Sequence, residues 1–285
     1  MNAQPIHFKP SEGFRGRAKA VVDNPFLRQS FRGAMDFLMT KRAAQFPDAE
    51  ELESLRTLGE HIRQYNLGKL PDLLLTLEAN LSRNGIHVHW AETPDEANEI
   101  ILGICKRHAA KLMVKGKSMV SEEIELNHAA EAAGIGALES DMGEYIVQLA
   151  GEKPSHIIMP AIHKTKEEIA TLFHEKVPGI DYTDNVDALI QIGRRVLREK
   201  FLEADIGLSG VNFAVAETGT LCLVENEGNG RMCTTTPPVH VAITGIEKIV
   251  EKLAHVPPLL SLLTRSATGQ NISTYFNMIS GPRKP

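Results

Sequence analysis

The chain is 285 residues long, 42% hydrophobic and 24% charged, which suits a globular protein with a full core and argues against an extended disordered chain. A net charge of −5 argues against a general nucleic-acid binder, and no apolar run approaches the roughly 20 residues that a membrane-spanning helix needs. The start at Met1–Phe8 lacks the basic and apolar regions of a secretory signal, and Cys105, Cys222 and Cys233 are too few and scattered for a disulfide framework, so the cytoplasm is the expected compartment.

Residues 1–70 are charge-rich and helical in pattern, with Phe31, Met35, Phe37 and Leu38 on one segment and Leu52, Leu55, Leu58 and Ile62 on the next. They predict an N-terminal helical arm, joined through Leu67–Pro71 to a main α/β domain over 71–280, with 281–285 reading as the start of a linker. From there short apolar strands alternate with amphipathic helices. Strands are expected at 86–90, 111–114, 136–139, 156–159 and 205–208. Helices are expected at 97–110, at 121–133 with Gly134 as the exit, after a capping box at Thr165 and Glu168, and after Asp184. In the last of these Val186, Leu189, Ile190, Gly193, Leu197 and Phe201 recur at spacings of three and four and predict one face against the sheet. Beyond residue 210 the pattern turns antiparallel, with a hairpin over 213–224, a strand over 239–243 and helices through 264 that carry Leu259, Leu260, Leu262 and Leu263. The fold class is therefore α/β, an open, mostly parallel sheet with a later antiparallel hairpin.

The hairpin tip, Glu217-Thr218-Gly219-Thr220, puts an acid, two hydroxyls and a glycine between two apolar strands. Glu217 could act as nucleophile, general base or acceptor, or could only satisfy turn donors, and the threonines could bind an anion or only form a β-turn. Ser209-Gly210-Val211-Asn212 before the hairpin and Asn229-Gly230-Arg231 after it can bring backbone N–H groups near a small anion. Arg231 fits a carboxylate ligand or a surface ion pair. Lys115-Gly116-Lys117-Ser118 falls where a parallel sheet places its ligand loops, although Lys111 stands where a P-loop requires glycine. It is a site for one carboxylate or phosphate, or a solvated basic turn. His128, His163 and His240 read as structural, and no spacing suggests a metal. The expected ligand residues are therefore Lys115, Lys117, Ser118, Ser209, Asn212, Thr218, Gly219, Thr220, Asn229 and Arg231, with Glu217 as the catalytic candidate.

Taken in order, Lys115–Glu123, Gly143–Ile146, Pro160–Thr165, Phe213–Thr220, Glu227–Arg231 and Arg265–Gln270 closely resemble the LUD domain of the lactate-utilisation protein B family, iron–sulfur subunits of an L-lactate oxidation system. The resemblance covers nearly the whole chain. It implies a Rossmann-like fold akin to glucosamine-phosphate isomerases, ribose-phosphate isomerases and CoA transferases (the NagB/RpiA/CoA-transferase-like class). It also implies the other subunits of the lactate-utilisation complex as partners, and a role in converting L-lactate to pyruvate. In the family a ferredoxin-like segment with two Cys-x-x-Cys-x-x-Cys-x-x-x-Cys-Pro runs follows and holds two 4Fe–4S clusters. None of the three cysteines here belongs to such a run, so the expectation is a piece cut ahead of that segment or a naturally short product, without electron transfer of its own. Two other readings stand beside it: a free-standing sugar-phosphate isomerase or CoA-transferase-like enzyme using Glu217, and a non-catalytic assembly module.

Overall fold

The described residues open on helices α1 (Phe14–Val22), α2 (Pro25–Gln45), α3 (Ala49–Gly68) and α4 (Leu70–Arg83). The computed structural model describes residues 13–116, 118–152, 159–270 and 275–283. Asn24 and Asp48 start α2 and α3 by accepting hydrogen bonds from Phe26 and Leu27, and from Glu50 and Glu51, which satisfies otherwise orphaned first-turn amides. The chain breaks at Lys69, as the Leu67–Pro71 pattern suggests, but resumes as helix through Arg83 because Leu73, Leu77 and Leu81 form a buried stripe. The strand expected at 86–90 does not form. Ile86 and Val88 pack partly buried in the core beneath α4, but their backbone pairs with no strand, so alternation here reports burial without pairing.

A parallel sheet follows, built of β1 (Leu112–Gly116), β2 (Gly136–Glu139), β3 (Ile206–Ser209) and β6 (Val239–Ala242) in the order β2-β1-β3-β6. One face carries Met113, Ala137, Ile206 and Leu208 against α5 (Pro94–Arg107) and α7 (Leu126–Ala132). The opposite face packs on α8 (Met142–Ala150), α9 (Lys166–Lys176) and α10 (Val186–Glu203). Since the chain leaves β1 for β2 on one side and later enters β3 on the other, the carboxyl ends of β1 and β3 form the switch point of this α/β, Rossmann-like fold. The single helix expected at 121–133 is two. Ser118, rather than Ser121, caps the short α6 (Met119–Glu123), and Glu125 at φ +53° turns the chain into α7. Both bonds of the Thr165–Glu168 capping box are present. On α10, Leu189, Gly193, Leu197 and Phe201 are buried while Val186 and Ile190 are exposed, so the inward face is narrower than the six-residue pattern. Of the strand expected at 156–159, residues 156–158 lie outside the described residues, and Met159 is in no strand.

The second sheet runs β7-β4-β5-β8. Strands β4 (Phe213–Val215) and β5 (Thr220–Glu225) form the expected antiparallel hairpin, β7 (Ile249–Val250) lies parallel to β4, and β8 (Tyr275–Ile279) antiparallel to β5. Strand β8 has no counterpart in the sequence-based pattern. Helix α12 (Val256–Thr268) covers this sheet together with α3, burying Val256 and Leu259 beside Ile62, Phe213 and Val250. No helix among the described residues is long and apolar enough to cross a membrane.

Helix α11 (Asn229–Thr235) joins the sheets, resting on β1, β3 and β6 and touching β5. It comes so close that a Cβ at Gly207 would lie 1.8 Å from the Cys233 carbonyl oxygen. Gly207→Ala is expected to cost about 3 kcal/mol or more, because the clash is with backbone that cannot swing aside. The check is a lower denaturant midpoint at unchanged slope, and an unchanged midpoint would mean that α11 shifts without loss.

Candidate functional site

The switch point brings three loops together. Gly116 and Ser209 are register partners across β1 and β3, Gly210 N donates to Gly116 O at 3.3 Å, and a Cβ on Gly116 would lie 3.7 Å from Gly230 Cα. Gly116, residues 209–210 and residues 229–231 thus meet at the carboxyl ends of β1 and β3, as their positions after strands suggest. Lys117 lies outside the described residues. Ser118 is buried, and its Oγ accepts from Ser121 N at 3.1 Å.

Lys115 points to the other face of the sheet. It is 1% exposed and donates to Asn127 Oδ1 and Glu139 Oε1, both at 2.7 Å, while Asn127 Nδ2 donates to the same carboxylate oxygen at 2.8 Å. Lys115 and Glu139 are neighbours in register on β1 and β2, so the ammonium is already neutralised by the adjacent strand.

The loop before α11 holds an anion of its own. Glu225 is 3% exposed; its Oε2 accepts from Gly230 N at 2.6 Å, and its Oε1 from Arg231 N and Asn277 Nδ2, each at 2.8 Å. Amides that the sequence pattern offers to an outside anion are therefore occupied by the last residue of β5. Asn229 Oδ1 accepts from Gly230 N at 2.9 Å, whereas its Nδ2 is buried without a partner among the described residues. The Arg231 guanidinium is exposed, lies 4.4 Å over the Tyr275 ring and pairs with no carboxylate among the described residues.

On the α11 side of the sheet, Ser209 Oγ lies 2.8 Å from His240 Nε2, and burial pushes the His240 imidazole down to about 4. Ser140 Oγ donates to Lys115 O at 2.5 Å and sits 3.4 Å from Cys233 Sγ. Burial raises all three thiols, Cys222 to about 11 and Cys233 to about 12, and the three pack in separate cores. They do not fit an iron–sulfur cluster, which needs thiolates gathered at one place.

The hairpin tip stands apart from this crevice. Five steps along β5, about 17 Å at the usual rise per residue, separate Thr220 from Glu225. Helix α4 clasps the tip: Asn80 Nδ2 donates to the carbonyls of Ala216 and Glu217, and Asn84 Nδ2 to those of Thr218 and Gly219. Gly219 has φ +62°, and a Cβ there would lie 2.6 Å from the Asn80 carbonyl carbon, so both space and conformation demand glycine. Glu217 is exposed and accepts from Leu253 N at 2.7 Å; Thr218 and Thr220 share a hydroxyl bond at 2.9 Å, and Thr220 meets Ser280 at 3.1 Å. Asn212 Oδ1 accepts from Val224 N at 2.8 Å and extends the hairpin ladder. His163 Nε2 lies 2.7 Å from Glu152, also bound by Lys164; burial raises the Glu152 carboxyl, but the bonds from Lys164 and His163 outweigh it and hold it below its usual range.

Glu139, Asn127, Glu225 and Asn277 do not figure in the sequence-based site. The one signal for two of them is an acid as the final residue of an otherwise apolar strand, Glu139 on β2 and Glu225 on β5.

Residues 75–285 match the family model described as the LUD domain. Lactate utilization protein B of Bacillus subtilis (strain 168) is 40% identical over 274 residues, covering 96% of this chain and 57% of the relative. The protein of the same name from Bacillus cereus (strain AH820) is 42% identical over 269 residues, 94% of this chain and 56% of the relative. An uncharacterized electron transport protein, YkgF, of Escherichia coli (strain K12) is 40% identical over 271 residues, 95% of this chain and 57% of the relative. The chain thus spans somewhat more than half the length of these curated relatives. No solved structure matches it.

Two consequences can be measured. Lys115→Met, which strands Glu139 in the core, is expected to cost about 3–5 kcal/mol, and adding Glu139→Leu to recover most of it; equal losses in single and double variants would exclude the pair as the cause. The fold holds His240 neutral, its folded value of about 4 lying below the ordinary one of about 6.5. Its contribution is therefore complete above pH 6.5 and lost as pH falls toward 4, about 1–3 kcal/mol in all. His240→Gln should flatten the stability profile in that window, and an unchanged slope would assign the acid sensitivity to other groups.

Proposed function

The chain belongs to the LUD domain family, and from that membership we propose that it is the LUD portion of a cytoplasmic subunit of an L-lactate-oxidising complex, serving conversion of L-lactate to pyruvate. The observation that carries this reading is about 40% identity over 96% of the chain to proteins named lactate utilization protein B. Electrons leaving lactate go to a centre outside these residues, in keeping with the separate burial of Cys105, Cys222 and Cys233. Other subunits of the lactate-utilisation system are its partners.

Within this reading the crevice at the carboxyl ends of β1 and β3 takes the small carboxylate. Arg231 supplies the charge, since its guanidinium is exposed and pairs with no carboxylate among the described residues, and Asn229 Nδ2 supplies a buried donor without a partner among them. Lys115 supports the crevice from behind by fixing β1 to β2. A free-standing isomerase or transferase with Glu217 as base or nucleophile has less support, because that carboxylate already accepts from Leu253 N and stands at the far end of the hairpin.

Calorimetric titration with L-lactate and with pyruvate tests this reading. Arg231→Ala is expected to weaken binding at least tenfold, about 1.4 kcal/mol, while Glu217→Gln leaves it unchanged. Equal affinity in Arg231→Ala would remove the crevice, and no binding by the unmodified chain would move substrate recognition to another part of the complex.

A further inference from the structure

Charge is segregated on this molecule. Residues 14–45 carry seven Lys and Arg against two Asp, although the whole chain is at −5. Those residues form α1 and α2, and α2 has no buried residue along its 21 positions. Its inner side rests on α12 and α1, and the flanks expose Phe37 at 56% and Met39 at 62%, with Arg28 and Arg32 exposed as well. Positions 28, 32 and 39 fall on one side of α2, so Met39 stands exposed beside Arg28 and Arg32, while Phe37 lies on the other side under Lys41.

The complementary surface lies on the outer side of the parallel sheet. Residues 91–107 and 118–135 together carry eight Asp and Glu against two cations, Lys106 and Arg107 at the end of α5. They come together because α5 and α7 share one core, and because Asn98 Nδ2 donates to Ile124 O at 2.8 Å, tying α5 to the joint between α6 and α7. Met119, at the start of the second of these stretches, is 48% exposed, and Trp90, just ahead of the first, 46%. Among the described residues no hydrogen bond or ion pair joins the two surfaces within one chain, and the acids form no metal-holding group.

We propose that two copies of this chain associate reciprocally, the basic α1–α2 arm of each lying on the acidic α5–α7 surface of the other. Opposite fields steer the encounter, and the exposed Met39 of the arm meets Met119 once the charged residues are aligned. A reciprocal pair uses both surfaces of both copies and closes, so it stops at two.

Sedimentation velocity of the 285-residue chain at about 50 mM and about 500 mM salt reads this directly, because screening between those limits shortens the reach of charge several-fold. The expected result is a species of twice the 31.3 kDa chain mass at low salt that dissociates at high salt. Arg28→Glu with Arg32→Glu, and separately Glu99→Lys with Glu123→Lys, should each weaken self-association at least tenfold. All four side chains are exposed, so folding is not at stake. Mixing the two variants should restore the dimer, since each then presents what the other lacks. A monomer at every salt concentration overturns the proposal. So does a dimer that ignores the reversals or is not restored on mixing, which would place contact on another surface.

Discussion

The close seating of α11 on the parallel sheet is the constraint on which the rest depends. Only a hydrogen at Gly207 lets the helix backbone approach β3, while a Cβ at Gly116 would crowd only side chains, at 3.0 Å from Ser140 Oγ and 3.3 Å from Cys233 Sγ. With α11 pressed down, the first residues of the helix reach the carboxyl ends of β1 and β3. The preceding strand, β5, then has to end beside them. Glu225 is carried to the start of α11 and meets two backbone amides there and the Asn277 side chain of β8. One carboxylate thus fixes the helix, the hairpin and the last strand together, and the two sheets become a single framework around the crevice.

Buried charge in this fold is answered locally, and that decides which polar groups are spare. Lys115 is answered by Glu139 and Asn127, Glu225 by amides and an amide side chain, and Ser118 and Asp141 by the first turns of the helices they start. Leaving any of these unpaired away from water would cost more than its hydrogen bond returns. Among the described residues, what remains uncommitted in the crevice is the exposed guanidinium of Arg231 and the buried amide nitrogen of Asn229. Among the described residues the chemistry available to a ligand is therefore narrower than the loop composition suggests, a cation and a neutral donor rather than a nest of amides.

Much of the framework is legible in the sequence because it rests on periodicity and capping, which are local. The strands at 136–139 and 206–209, the hairpin, the Thr165–Glu168 box and the inner face of α10 all come from spacing alone. Ile86 and Val88 alternate like a strand yet find no partner, since alternation reports a half-buried stretch and not which edge is free. Strand β8 is short and contains Asn277, so it reads as the end of a domain until β5 is seen to need a neighbour. Lys115 reads as a ligand residue because the end of a parallel strand is where ligands sit, but strand pleating sends it to the opposite face from Gly116. Glu225 escapes notice for a related reason, its role being set by amides contributed from beyond a turn.

The hairpin tip shows how a glycine, a threonine pair and an acid can look like a site and serve as a joint. Asn80 and Asn84 stand one turn apart on α4 and face the four tip carbonyls, so the helix end and the hairpin end satisfy each other. Leu73, Leu77 and Leu81 bury against the same sheet whose tip the helix clasps, and the family match begins within this helix, at residue 75. Similarity to the named relatives extends further, over 96% of the chain, and so takes in the arm that the family model leaves out. The arm is held by equally close packing: a Cβ at Gly269 would lie 2.4 Å from Lys41, and one at Gly59 would lie 2.8 Å from Leu262, so α2, α3 and α12 meet at glycines. A segment seated so tightly on its inner side, while its outer flanks keep Phe37 and Met39 in water, is shaped as much for what it presents as for what it covers.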